Sequence, residues 1–169
     1  MVLDWMRKIH QLEYAHTYES LLWSRIDLWT GISAFAISTL IAFSYQFPSV
    51  NSITYESLPF ILKSNFFIPF ASTIVAILTG LQIFLKPNEK TEVHKNAARQ
   101  YERLRHSIEI VITTDYTETK TNEKIEGIKK EWEDLTPPSV SPKNFLKGKD
   151  KAFSFNKYPP ELSFLDDVN

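Results

Sequence analysis

The chain has 169 residues, enough for one domain or for a membrane unit with a modest soluble part. Net charge is -1 and the pI is about 6.4, so no basic field points to nucleic acid. The absence of cysteine excludes disulfides, cysteine nucleophiles and cysteine-ligated metals, and four isolated glycines (Gly31, Gly80, Gly127, Gly148) cannot assemble a dinucleotide or Walker loop.

Residues 1–27 carry a helical stripe. Trp5, Ile9, Leu12, His16, Glu19, Trp23 and Ile26 recur at alternating spacings of 4 and 3, a heptad pattern with two polar members in its middle. One long helix is expected to run through this stretch into the next. His16 and Glu19 share a face. They read as a polar pair fixing register in a helix bundle, or as a proton or metal site.

No charged residue occurs between Asp27 and Glu56. The apolar part, 28–47, has twenty residues, whose rise of roughly 30 Å matches a bilayer's hydrocarbon core. Pro48 ends it. A cleaved leader is not expected, because 27 residues of charged sequence precede the segment and Gln46-Phe47-Pro48 is a poor cleavage site. A second charge-free window, 65–85, stops at Lys86-Pro87 and is also long enough to span. Pro69 lies in its first turns, where a missing N–H does little harm. Trp23 and Trp29 flank one side of this pair of spans, and Tyr45, Phe47, Phe66 and Phe67 the other, as interfacial aromatics do.

Basic residues set the expected orientation. Lys86, Lys90, Lys95, Arg99, Arg103 and Arg105 follow the second span, whereas the loop 48–64 holds only Lys63. The positive-inside rule then places both termini in the cytoplasm and only that loop outside. A multi-pass membrane location is therefore expected.

Neither span contains Asp, Glu, Lys, Arg or His, which disfavours a pump or coupled transporter. Small residues align on Gly31, Ala34, Ser38 and Ala42, and again on Ser72, Ala76 and Gly80. Such faces let helices approach closely in lipid, within the hairpin or between subunits. Two helices cannot enclose a water-filled passage, so any pore needs several copies. Ser33, Ser44, Thr79 and Gln82 are its candidate lining, with poor ion selectivity because no charged ring is available.

Beyond the spans, Val93, Ala97, Tyr101, Leu104, Ile108 and Val111 mark an amphipathic helix over 88–114. A further helix over 120–135 has Ile125, Ile128, Trp132 and Leu135 on one face, with Thr121 or Asn122 as its cap. Thr136-Pro137-Pro138 ends it. Residues 136–169 read as an extended, Pro-containing tail, docked or partner-binding, that Phe153, Phe155, Tyr158, Phe164 and Leu165 make sticky. The fold class is therefore an all-α membrane protein: a two-transmembrane hairpin extended by antiparallel cytoplasmic helices, with 1–135 as one helical unit. No histidine spacing suits a metal, no acid, base or nucleophile cluster suits an enzyme, and no cofactor is implied.

Three stretches taken in order resemble one bacterial family. They are Leu81-Gln82-Ile83-Phe84-Leu85-Lys86-Pro87, then His94-Lys95-Asn96-Ala97-Ala98-Arg99-Gln100-Tyr101-Glu102-Arg103-Leu104, then Trp132-Glu133-Asp134-Leu135-Thr136-Pro137-Pro138. Over roughly 5–145 the chain is similar to the SLATT domain, the two-span membrane effector associated with SMODS nucleotidyltransferases and SLOG sensors. The family-like positions of the bundle are His16, Glu19, His94, Ala98, Tyr101, Leu104, Trp132 and Leu135. The resemblance implies a role in antiphage defence and abortive infection, as an oligomeric effector that breaches the inner membrane. It also implies a cytoplasmic sensor or nucleotide-signalling protein as partner. No fused sensor or catalytic domain is recognisable, so the trigger is expected from a separate protein or ligand. A membrane anchor that recruits a partner without forming a pore is the alternative.

Overall fold

The computed structural model describes residues 2–46 and 64–154, with side chains for 4–43 and 67–154. The described residues are all-helical. In chain order the helices are α1 (Val2–Gln46), α2 (Ser64–Leu85), α3 (Pro87–Thr113), α4 (Glu118–Glu133) and α5 (Pro142–Phe153). Residues 48–63 of the expected external loop and the side chains Phe47, Phe155, Tyr158, Phe164 and Leu165 lie outside the described residues, as do the side chains of Tyr45 and Phe66. The chain divides into two compact units: 1–22 with 89–169, and 23–88. Helix α1 contributes residues to both units.

In the first unit α1 meets α3 along a heptad seam. Met6, Ile9, Tyr101, Leu104, Ile108 and Val111 are buried, and Ile128 of α4 closes the cluster. Trp5, Leu12, Ile125, Trp132 and Leu135 pack around it. Trp5 and Trp132 meet edge to face at 5.8 Å between ring centroids, which ties α4 to α1.

The α3 register differs from the expected one at its start. Val93 is 50 % exposed while His94 is buried. The buried series is 94, 97, 101, 104, 108 and 111, a strict alternation of 3 and 4. Two successive steps of four, as in 93–97–101, drift off a heptad seam.

Helix ends differ from expectation too. The N-cap of α4 is Thr117, not Thr121 or Asn122, and it makes no side-chain cap bond. The Thr121 hydroxyl instead donates to the Thr117 carbonyl at 3.2 Å. The stretch read as extended tail contains α5 at 142–153. Ser141-Pro142 starts it, with Pro at the first helical position, where no N–H is needed.

The second unit holds the charge-free part of α1 and all of α2, two helices long and apolar enough to cross a membrane. Their apolar side chains face outward: Trp29, Phe35, Leu40, Phe43, Ile77, Ile83 and Phe84 are all exposed, and none of the apolar window of α1 is buried. Among the described side chains of α2, Ala71 is the buried hydrophobic one. Lys86 ends α2 with φ of 46°, a left-handed conformation that costs a side-chain-bearing residue about 1–2 kcal/mol. Its N–H donates to the Gln82 carbonyl at 3.1 Å, and Pro87 then begins α3.

The seam sets the first prediction. Leu104 is 1 % exposed, so Leu104→Ala lowers the unfolding free energy of the first unit by about 2–5 kcal/mol. Val93→Ala changes it by less than about 0.5 kcal/mol. Denaturant titration of the full chain in detergent, followed by circular dichroism, separates the two registers.

Candidate functional site

Two places hold the residues singled out in the sequence, one in each unit. In the first unit a buried polar cluster interrupts the apolar seam. His16 of α1 and His94 of α3 are 1 % and 5 % exposed, and their Nδ1 atoms lie 3.0 Å apart. That distance requires one imidazole to donate and the other to accept. The Tyr101 ring stacks on His16 at 5.5 Å between centroids. Burial pushes the His16 pKa down to about 4, and the neighbouring His94 reinforces it against an opposing pull from Glu19. Burial lowers His94 as well, so the pair is neutral at pH 7.

His16 therefore pairs across helices and not with Glu19, its neighbour on the same face. Glu19 has other partners. Its Oε2 accepts from the Ser141 hydroxyl at 2.7 Å, the Asn144 side-chain amide at 2.6 Å and the Ser141 N–H at 3.4 Å. The carboxylate thereby caps the start of α5 from another helix, where the helix dipole favours negative charge. Burial alone raises the Glu19 pKa, but the Asn144 and Ser141 hydrogen bonds outweigh it and hold the carboxyl below its ordinary value.

Helix α5 lies antiparallel against α1, with its start at Glu19 and Gly148 at Gln11 and Ala15. A Cβ on Gly148 would sit 2.6 Å from the Gln11 carbonyl oxygen and 2.8 Å from the Ala15 nitrogen, so only glycine permits this approach. Lys147 reaches over the Tyr18 ring, 6.0 Å from its centroid.

Further from Glu19, Arg105 of α3 bridges two carboxylates. Its Nε donates to Glu13 at 2.9 Å and its Nη1 to Glu109, while His106 Nδ1 lies 2.9 Å from Glu109. Burial, with the Arg105 charge second, lowers His10 to about 4 against a weaker pull from Glu109. Among the described residues no group of three or more potential ligands could hold a metal, and no buried side-chain nitrogen or oxygen lacks a partner.

Of the other bundle positions, Leu104 is buried, and Ala98, Trp132 and Leu135 are partly buried. Sequence patterning does not single out Ser141, Asn144, Gly148 or the Arg105 network. The one signal it offers for α5 is the small or polar spacing Asn144, Gly148, Ala152 behind a Ser-Pro start.

In the second unit Gly31 of α1 faces Gln82 of α2: a Cβ there would lie 3.3 Å from the side-chain amide nitrogen. That amide donates to the Asp27 carbonyl at 3.4 Å. Gln82, expected as pore lining, thus joins the two helices. A Cβ on Gly80 would have nothing within 4 Å, and Ser72 and Ala76 are exposed. That stripe is therefore not at the α1–α2 contact. Ala34 and Ser33 are partly buried; Ser38, Ala42 and Thr79 are exposed. The Ser44 side chain lies outside the described residues. Thr30, Thr39 and Thr73 donate to carbonyls four residues back, at 2.7–2.9 Å.

Substitution tests the docking of α5. Glu19→Gln removes the charge that three donors share and costs about 1.5–3 kcal/mol. In the full chain it also exposes the lysines of α5 to trypsin. Gly148→Ala releases α5 likewise, although the same change at the open Gly127 stabilises its helix by up to about 1 kcal/mol. Trypsin resistance of α5 in both Glu19→Gln and Gly148→Ala would sink this account.

Acid tests the buried imidazoles. His10 and His16 hold pKa values of about 4 when folded, against 6.5 when unfolded. The unfolded state binds more protons between those values, so their contribution is complete above 6.5 and is lost as pH falls towards 4. Denaturation midpoints of the first unit should fall between pH 7 and 5, and a His10→Gln/His16→Gln variant should show a shallower fall.

No protein-family model, curated protein or solved structure matches this chain.

Proposed function

We propose that the protein is a two-span membrane protein with both ends in the cytoplasm, and that it acts as an oligomeric effector that permeabilises a bacterial inner membrane. The observation that carries this reading is the outward apolar surface of the second unit. Phe84 is 88 % exposed, Phe35 76 % and Trp29 66 % on helices that carry no ionisable side chain from 28 to 46 and from 64 to 85 apart from Tyr45. In water such a surface is a severe liability, and in hydrocarbon it costs nothing.

Assembly is supported by the small-residue stripe. Ser72, Ala76 and Gly80 are not used at the α1–α2 contact, which leaves a close-approach surface for another copy. Hydroxyls bonded back to their own helix make weakly polar walls at most, consistent with a leak of low selectivity. The antiphage role, and a trigger from a cytoplasmic sensor or nucleotide-signalling protein, rest on the resemblance to the SLATT domain. The alternative, an anchor that recruits a partner without a pore, shares the topology. It predicts stable membrane expression without conductance.

Induced expression in a bacterium should collapse the inner-membrane potential and admit an impermeant dye, and Gly80→Leu should reduce both effects at equal membrane content. Because the chain has no cysteine, single cysteines report topology cleanly. An impermeant thiol reagent should label Ser57→Cys in intact spheroplasts and Lys124→Cys only after lysis. Unchanged potential and growth at confirmed membrane expression would leave the anchor reading.

A further inference from the structure

Helix α5 is docked off its apolar axis. On a helical wheel Gly148, Ala152, Phe145, Pro142, Phe153 and Leu146 follow one another along one arc, with Lys149 inside it. The opposite arc carries Asp150, Lys143, Lys147, Lys151 and Asn144. Docking uses the border between the two arcs: Asn144 and Gly148 are buried against α1. Leu146, Phe153 and Phe145 stay 56 %, 58 % and 41 % exposed. Charge is one-sided too. Four exposed lysines (Lys143, Lys147, Lys149, Lys151) against the exposed Asp150 give α5 a net charge of +3.

We propose that α5 exchanges its contact with α1 for an anionic lipid surface, lying in the headgroup layer with Phe145, Leu146 and Phe153 inserted. The inference rests on the membrane reading above. A helix with an apolar arc and a lysine-lined polar arc suits that layer, and the stem of Lys149 can carry its ammonium out of the apolar arc. Near an anionic surface each lysine favours binding about fivefold. The three apolar side chains form a ridge, which a fluid bilayer accepts without a matching groove. A second copy is disfavoured, because α5 against α5 sets +3 against +3. Leaving α1 sacrifices little apolar burial, since the docked face buries an amide and a glycine. The tie to be broken is polar: Glu19 with Ser141 and Asn144. Glu19, which holds the start of α5, stands nine residues before the charge-free stretch that begins at Leu28. That tether keeps the helix at high effective concentration for a bilayer.

The full chain reconstituted in nanodiscs tests it. Because no native cysteine competes, Leu146→Cys carries a polarity-sensitive dye at one site. Discs of phosphatidylcholine are compared with discs containing about one-third phosphatidylglycerol. The anionic discs should blue-shift the dye and raise the ratio of lipid-bound to docked α5 about tenfold. Salt at about 0.5 M should reverse the change. Glu19→Gln should raise the ratio about tenfold further, and Lys143→Glu/Lys147→Glu/Lys151→Glu should abolish the response. The same dye on Glu126→Cys of α4 should not respond. Incorporation without a shift in anionic discs would overturn the proposal and assign the face to a protein partner. An equal shift in both lipids would overturn it as well, because the lysines would then have no part. A chain that does not enter discs at all overturns the membrane reading, and this inference with it.

Discussion

The heptad seam between α1 and α3 is the contact on which the first unit depends. Met6, Ile9, Leu104 and Ile108 supply its apolar part, and α4 and α5 both rest on surfaces that this seam holds in place. Apolar layers alone would let two long helices slide by a turn at modest cost. The His16–His94 contact opposes sliding, because a shift of one turn would separate two buried imidazoles that are hydrogen-bonded to each other. The Arg105 bridge between Glu13 and Glu109 adds a second polar mark on the same register. It is partly solvated and so contributes more to alignment than to stability.

Polar burial in this unit is thus paired throughout, while apolar burial in the second unit is nearly absent. The two halves of α1 show the contrast within one helix. Ile9 and Ala15 are fully buried, yet Trp29 and Phe35 lie open. That contrast supports the proposal that the second unit faces lipid.

Much of this is legible in the sequence because it rests on periodicity and on the absence of charge. The charge-free segments 28–46 and 65–85 fall within α1 and α2, and the helices expected at 88–114 and 120–135 lie within two residues of α3 and α4 at each end. Features set by contacts distant in sequence are not legible. Nothing local marks Glu19 as a cap for a helix that begins 123 positions later. The identity of His16's partner depends on a register that differs from the expected one by a single residue, Val93 against His94. Helix α5 escapes detection because its buried side is small and polar, so the usual search for an apolar stripe finds the wrong face.

That inverted face has a consequence for how such a chain can vary. On the inner side, Gly148 admits no side chain and Asn144 must keep an amide toward a carboxylate, so substitution there disturbs the fold. On the outer side, Phe145, Leu146 and Phe153 lie outside the buried core of the bundle. They can change in size and shape without penalty to it. The outer face can therefore drift in sequence while the scaffold that carries it stays the same.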